Sequence, residues 1–591
     1  MPSHKHWKYH HSEDIVLSNL RGLALANPHI SVIPSEKVVF NSQSQGDKKV
    51  TLISGGGAGH EPLHGGYVGE NLLDAAVSGH IFASPNTNQI LAAVIQKTNK
   101  QKGAVIVVKN YTGDILHFGL VVERAKALGY PVEMVIVADD VAVGRSQNAM
   151  VGRRGLAGTA LIHKILGYAS HSVELDSLAS LGRDINENLV TIGASLDRTS
   201  IPNSKEGGEE VETTALDEYE LGLGIHNEPG EKLKLDDIDN IVKQMFEKLV
   251  SPNDPERHYV DFSLDSDETV LLINNIGGTS SLEMNVLVDH IVSNYPFKIA
   301  PKRVLVSDFV TSLNAPGFSI TIMNLTGASS SSSKFSQTFI LEALDAPTNA
   351  PGWKPKIADW QITSKEVDSP MESHSNIVSS ELRVDDAKLR ANIQLALKKV
   401  IEWEPKITHY DTLVGDGDCG ETLVAGANGI LNSLANDKDW NDHLNDPVYT
   451  LSHITEIIEK EMGGTSGGIY SIFFTSLVFQ LQKIEGEFST TKLAEALYLA
   501  LHEGLFKYTK ARVGGRTLID ALQPFIDILH ESGDTSRALQ AAQVGCENTK
   551  KMKAKFGRAS YVSSEQFERE GGIPDPGAVG VVALLTGFLK D

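Results

Sequence analysis

The sequence predicts a multidomain protein: an N-terminal α/β unit in two parts, followed by a C-terminal all-α unit. Three observations carry this. Over about the first 190 residues, short β-branched runs alternate with helix-patterned stretches, which implies βαβ units and a largely parallel sheet. A Pro-rich stretch, Ala346-Pro-Thr-Asn-Ala-Pro-Gly-Trp-Lys-Pro355, passes into polar sequence and reads as a linker. After Asp385 the texture turns helical throughout. The expected boundaries are 1–350 for the α/β unit, with an internal junction near 195–215, then 351–384 for the linker and 385–591 for the helical unit.

Taken in order, residues 49–54, 104–109 and 132–138 read as strands, and 88–98 and 116–128 as the helices between them. Residues 200–215 are polar and Gly-rich. A second alternating block follows, with a helix at 236–249, strands at 270–274, 303–306 and 319–323, a Ser run at 329–333 and a helix at 335–344. In the last unit, helical spacing covers 388–403, 423–434, 453–461, 469–482, 491–511, 518–530 and 535–556.

Hydrophobic residues make up 41% and charged residues 22%, as in ordinary globular protein. The net charge of −22 argues against nucleic acid or an anionic membrane as a partner, and any anionic ligand must rely on local donors. Two cysteines are too few for a disulfide framework. The opening residues lack the apolar core of a signal peptide, and no run approaches the ~20 apolar residues of a membrane helix. The expectation is a cytoplasmic protein.

Three aspartates, Asp411, Asp416 and Asp418, fall in Asp411-Thr-Leu-Val-Gly-Asp-Gly-Asp-Cys-Gly420. Carboxylates this close repel unless a cation holds them, and hard divalent ions prefer oxygen ligands. The calcium-loop pattern fails, because Glu421 stands where its Gly is required. Gly463-Gly-Thr-Ser-Gly-Gly468 opens a helix and offers N–H groups to an anion. Gly514-Gly-Arg-Thr517, Arg558 and Asp575-Pro-Gly-Ala578 lie at further Gly-rich helix boundaries, and together these loops suggest a nucleotide–metal site at one end of a bundle.

In the first unit, Ser54-Gly-Gly-Gly-Ala-Gly-His60-Glu-Pro follows a strand. It is neither a dinucleotide fingerprint nor a Walker loop, and it reads as a ligand loop. Lys109-Asn-Tyr-Thr-Gly-Asp114 follows a strand at the carboxyl end, where open α/β sheets bind ligands, although Asp114 could equally be a helix N-cap. His226 lies in Gly224-Ile-His-Asn-Glu-Pro-Gly230. From the residues alone this is a small-molecule site with His and Asp available.

In order and over essentially the whole chain, these motifs resemble the ATP-dependent dihydroxyacetone kinases of the fungal single-chain type. The resemblance implies an eight-helix barrel for the nucleotide unit and a homodimer. It implies that His226 attacks the substrate carbonyl to form a covalent hemiaminal, that Asp114 takes the hydroxyl proton, and that His60 assists. Gly57, Ala58, Gly59, Ser84 and Lys109 would line the pocket. Asp411, Asp416 and Asp418 would bind Mg2+. Cys419, Gly420, Glu421 and Thr422 would hold ATP, with Gly464, Thr465 and Ser466 on its phosphates. Arg516, Leu518, Arg558, Asp575, Pro576 and Gly577 would complete that site. Dihydroxyacetone and glyceraldehyde would be the substrates, in glycerol use and triose detoxification. A covalent bond to a carbonyl selects ketones and aldehydes over glycerol, which hydrogen bonds alone separate poorly. Two other readings are an FAD-splitting lyase forming cyclic FMN, which needs the aspartates but not His226, and a regulatory binding protein.

Overall fold

The apolar runs bury themselves in two units, Met1–Lys365 and Glu366–Asp591, in this computed structural model. The structure describes residues 7, 9, 14–146, 152–202, 213–330, 335–355, 377–555 and 572–590. Much of the expected linker (356–376), part of the junction (203–212), the end of the Ser run and Arg558 lie outside the described residues.

The first unit holds two six-stranded sheets. One has the order β1 (Ile30–Ile33), β2 (Val38–Asn41), β4 (Ala75–Ile81), β3 (Thr51–Ala58), β5 (Ala104–Lys109), β6 (Val132–Val137). Its β4–β3–β5–β6 part is parallel, as the alternation predicts, and β1 and β2 add an antiparallel edge. The other sheet has the order β11 (Arg303–Ser307), β10 (Thr269–Asn275), β12 (Gly317–Asn324), β7 (Leu189–Ser195), β8 (Glu218–Leu221), β9 (Glu231–Lys234). Only its β10–β11 pair is parallel. Helix Gly158–Ala169 is buried along nearly its whole length, and its apolar side chains join one core with strands of both sheets. A second core lies under helices Thr87–Lys97 and Thr112–Ala127 on the outer face of the first sheet.

Two sequence readings need correction here. The glycines after residue 54 are not a loop that follows a strand: β3 itself runs on through them to Ala58, fully buried. Backbone packing explains this, because a Cβ on Gly55 would stand 2.6 Å from the Val77 carbonyl oxygen and 3.0 Å from Phe118 Cζ. The glycines let β4 and the 112–127 helix close on the strand. Asp114 is also not an N-cap. Helix Thr112–Ala127 begins before the expected residue 116, and Asp114 sits inside its first turn.

The second unit is helical, with one apolar core. Helices Asp386–Val414, Cys419–Asn436, Pro447–Glu461, Gly464–Leu481, Thr490–Leu499, Ile519–Ser532, Thr535–Asn548 and Pro576–Phe588 pack each on the next, and the last packs on the first. The first runs past the expected residue 403, through Pro405, and so carries Asp411 on its final turn. The expected helix at 491–511 is broken. After Leu499 it widens into a π turn at Ala500–Gly504 and then a 3-10 turn at Leu505–Lys507. Gly504 packs there against Ser476, where a Cβ would lie 2.0 Å from Oγ. Among the described residues, no helix is long and apolar enough to cross a membrane.

Gly55→Ala should destabilise the first unit by about 1–3 kcal/mol through overpacking, seen as a lower Tm. A Tm equal to wild type would contradict the close packing of β3.

Candidate active site

The carboxyl ends of β3, β4 and β5 converge on one polar pocket in the first unit. β3 delivers Gly57, Ala58 and then Gly59, whose φ of +97° suits glycine. His60 follows and is fully buried. Its Nδ1 lies 2.8 Å from the Thr311 carbonyl oxygen, which only accepts, so Nδ1 carries the proton. Nε2 is then a bare lone pair, buried without a hydrogen-bond partner among the described residues. Burial, then the charge of Lys109, holds the ring well below the usual histidine range, so it is neutral.

Lys109 closes β5 and is buried. Burial pulls its pKa down to about 8, against the pull of Asp114. Asp114 is buried too, and burial raises its carboxyl despite Lys109 and a hydrogen bond from Ser84. Its Oδ1 has no partner among the described residues.

His226 enters from the loop after β8. Its ring stands edge-on to Tyr111, His60 and Phe82, with centroids 4.6, 4.8 and 5.5 Å away. Nδ1 is 2.9 Å from Glu228 Oε1. Burial pushes Glu228 up, but its bond to His226 and the charge of Arg154 outweigh this and hold it at about 2. An ionised carboxylate can only accept, so Nδ1 carries a proton, and in the neutral ring Nε2 then holds the lone pair. Glu228 also accepts from the His226 backbone N–H at 2.9 Å. The site thus brings together an imidazole held by a carboxylate, a buried carboxyl group and a neutral imidazole acceptor.

One loop ties these parts together. Between β11 and β12, Thr311 receives His60, the Leu313 N–H donates to the Gly59 carbonyl at 2.8 Å, and Ser312 Oγ donates to the Ile225 carbonyl at 2.8 Å. Asn274 on β10 holds this loop by accepting from the N–H groups of Phe309 and Val310 and donating to the Val310 carbonyl.

In the second unit, oxygens of Asp411, Asp416 and Asp418 lie within 4.8 Å of one another. Asp411 is buried and fixed by the Cys419 N–H at 3.0 Å; the other two are exposed. Two glycines permit the turn. A Cβ on Gly415 would collide with Asp411 Oδ1 at 2.2 Å, and Gly417 has φ of +84°. Three carboxylates that converge in this way offer the hard oxygen ligands that suit a divalent cation. Cys419, Gly420, Glu421 and Thr422 form the first turn of the adjoining helix, and Gly464, Thr465 and Ser466 the first turn of another. Ser466 hydrogen-bonds Cys419, whose thiol is pushed up to about 12 by burial and by Asp411. Asp575 caps the last helix, with Pro576 and Gly577 after it, and a Cβ on Gly577 would lie 3.2 Å from Leu518 Cβ. Burial pushes Asp575 up to about 7, and Arg516 opposes this. Arg516 itself is buried and donates to the Ile573 carbonyl at 2.8 Å.

Sequence reasoning placed no role on Glu228, Phe82, Tyr111 or Thr311. Glu228 had a signal, two residues beyond His226; Thr311 had none, because it arrives from the second sheet.

The Dak1 domain matches residues 21–352 and the DAK2 domain residues 413–590. The chain therefore belongs to the dihydroxyacetone kinase family. It is of the single-chain type, with both domains on one polypeptide. A dihydroxyacetone kinase of Komagataella pastoris is 50% identical across 99% of this chain and 98% of its own length. One of Pichia angusta is 48% identical across 100% and 98%. The crystal structure of the C. freundii dihydroxyacetone kinase with AMP-PNP and Mg2+ superposes with a TM-score of 0.63 at 29% identity, covering 99% of both chains.

Glu228→Ala should lower kcat/KM by about 100-fold with little change in Tm, since His226 loses the partner that sets its tautomer. A second expectation concerns pH. Lys109 loses its charge as pH rises through about 8, so activity should fall on that limb. Its pKa is lower folded than unfolded, so folding should become more favourable between about 8 and 10.5. Loss of activity without loss of Tm is the expected pattern; unfolding on the same limb would refute it.

Proposed function

We propose that this protein transfers the γ-phosphoryl group of ATP to dihydroxyacetone, with glyceraldehyde as a second substrate. The observation that carries the reading is the His226–Glu228 pair inside a pocket that also holds Asp114 and His60. His226 Nε2 adds to the carbonyl carbon, the C=O π bond breaks, and the oxygen takes a proton from solvent water as the hemiaminal forms. The ring gains positive charge in that step, and the ionised Glu228 against Nδ1–H stabilises it. His60 Nε2 accepts from a substrate hydroxyl. Asp114 takes the proton of the hydroxyl that attacks phosphorus. Glycerol has no carbonyl to add to and is excluded.

Asp411, Asp416 and Asp418 would hold Mg2+, and the helix starts at Cys419 and Gly464 would hold the nucleotide, with the loops around Arg516, Leu518 and Asp575. When bound, the metal neutralises charge on the transferring phosphoryl group. The cyclic packing order of the eight long helices supports the barrel that the resemblance implies. The same reading places the α/β domain at 1–350, the helical domain at 385–591, a homodimer as the assembly, and a role in glycerol and triose metabolism. A cyclase acting on FAD would leave the His226 pocket without a use.

The test is ADP release with ATP and Mg2+, comparing dihydroxyacetone, glycerol and no acceptor. ADP should form with dihydroxyacetone alone and stop on chelation of the metal. His226→Ala should lower kcat/KM by at least about 1,000-fold, as expected for a lost covalent nucleophile. ADP formation indifferent to the acceptor would overturn the kinase reading, and an unchanged kcat/KM in the variant would overturn the covalent step.

A further inference from the structure

Beneath the pocket lies a buried histidine that the reaction above leaves unused. His64 is 3% exposed. Its Nδ1 meets Ser54 Oγ at 3.0 Å and His163 Nε2 at 3.1 Å. The Ser54 hydroxyl already donates to the Val107 carbonyl at 2.7 Å, so toward His64 it can only accept. His64 Nδ1 is therefore assigned the proton, with His163 Nε2 as a second acceptor toward it. Burial, then the charge of Lys109, keeps the ring neutral, which leaves Nε2 as a bare acceptor. That atom is buried and has no partner among the described residues.

Gly56 shows what Nε2 faces. A Cβ on Gly56 would stand 3.3 Å from His64 Nε2 and 3.6 Å from Asp114 Oδ2. The two acceptors thus flank the same side of Gly56, where a methyl group would come into close contact with Nε2. Two acceptors facing one space call for a molecule with two O–H donors, and a buried water site needs such polar partners.

We propose that His64 is a positioning residue for the base: its Nε2 and the Asp114 carboxylate hold one water between them in the space beside Gly56. This rests on the reading of Asp114 as the base. The arrangement serves both protonation states. With Asp114 ionised, the water donates one hydrogen to the carboxylate and one to His64. Once Asp114 has taken the substrate proton, its O–H donates to the water, which still donates to His64. No proton moves to His64 in either state. The water and Ser84 occupy two directions around the carboxylate and leave the remaining lone pairs to the substrate hydroxyl. Asp114 also faces Lys109, His226 and His117, and these charges stay in place when His64 is changed.

Two substitutions separate this from a structural role. His64→Asn puts an amide N–H near the position of Nδ1 and removes Nε2. His64→Gln puts its amide near the position of Nε2 and removes the Nδ1 donor. H64N should lower kcat at least about tenfold with KM and Tm close to wild type, and should move the acid limb of the kcat profile to higher pH, because the ionised carboxylate loses a hydrogen bond. H64Q should keep most of kcat and lose Tm. Gly56→Ala, which fills the space, should reproduce the H64N shift in the acid limb. The opposite pattern, with H64N active and H64Q inactive, would assign His64 to packing through Nδ1 and overturn the proposal, as would equal losses in both or wild-type behaviour in both. Asp114→Asn is run alongside. If it stays active, the reading of the base fails; if it is inactive while H64N matches wild type, only the inference about His64 fails.

Discussion

The geometry of the first unit depends on one short connection, Phe309–Leu313. Its backbone accepts a hydrogen bond from His60 Nδ1–H and donates one to the Gly59 carbonyl, and the Ser312 hydroxyl donates to the Ile225 carbonyl, next to His226. These are local polar contacts, each worth about 1 kcal/mol on its own. Their weight lies in what they align. His60 comes from one sheet, and the His226 loop joins strands of the other. Without a shared anchor the two rings would have no reason to meet edge to edge. Asn274, buried under the connection, satisfies its backbone from β10 and makes the anchor rigid.

Burial and partner choice then set opposite electrostatics on two carboxylates of the same unit. Asp114 has a lysine for company but is buried so deeply that its carboxyl is raised. Glu228 is only half-buried, and the His226 N–H groups and Arg154 outweigh that burial and keep it ionised. One is suited to take a proton and the other to hold one in place. In the second unit the same competition appears at Asp575, raised to about 7 beside the aspartate cluster.

Much of this was legible from the residues. The strand at 104–109 and the helix after it follow from β-branched alternation. The aspartate cluster follows from three acids among glycines, and the pocket at strand ends follows from where Gly-rich runs and Asp114 fall. The misreadings have a common cause. The glycines of β3 look like a loop until the neighbouring backbone is seen to need their missing side chains. The helix to Val414 continues through Pro405 because its packing outweighs local propensity. The break at Ala500–Gly504 is a contact with Ser476, on another helix.

The sequence by itself determined the division into α/β and helical units, the acidic turn, the residue types gathered at the candidate site and the resemblance to a family, because these rest on local pattern and on motif order. Only the tertiary structure decided the antiparallel pairing of the second sheet, the hydrogen-bonded nitrogens of His60 and His226, and the approach of His64 and Asp114 to one side of Gly56. Each of these depends on partners far apart in the chain, such as Thr311 for His60, and hydrogen-bond direction is fixed by the partner rather than by the residue that carries the proton.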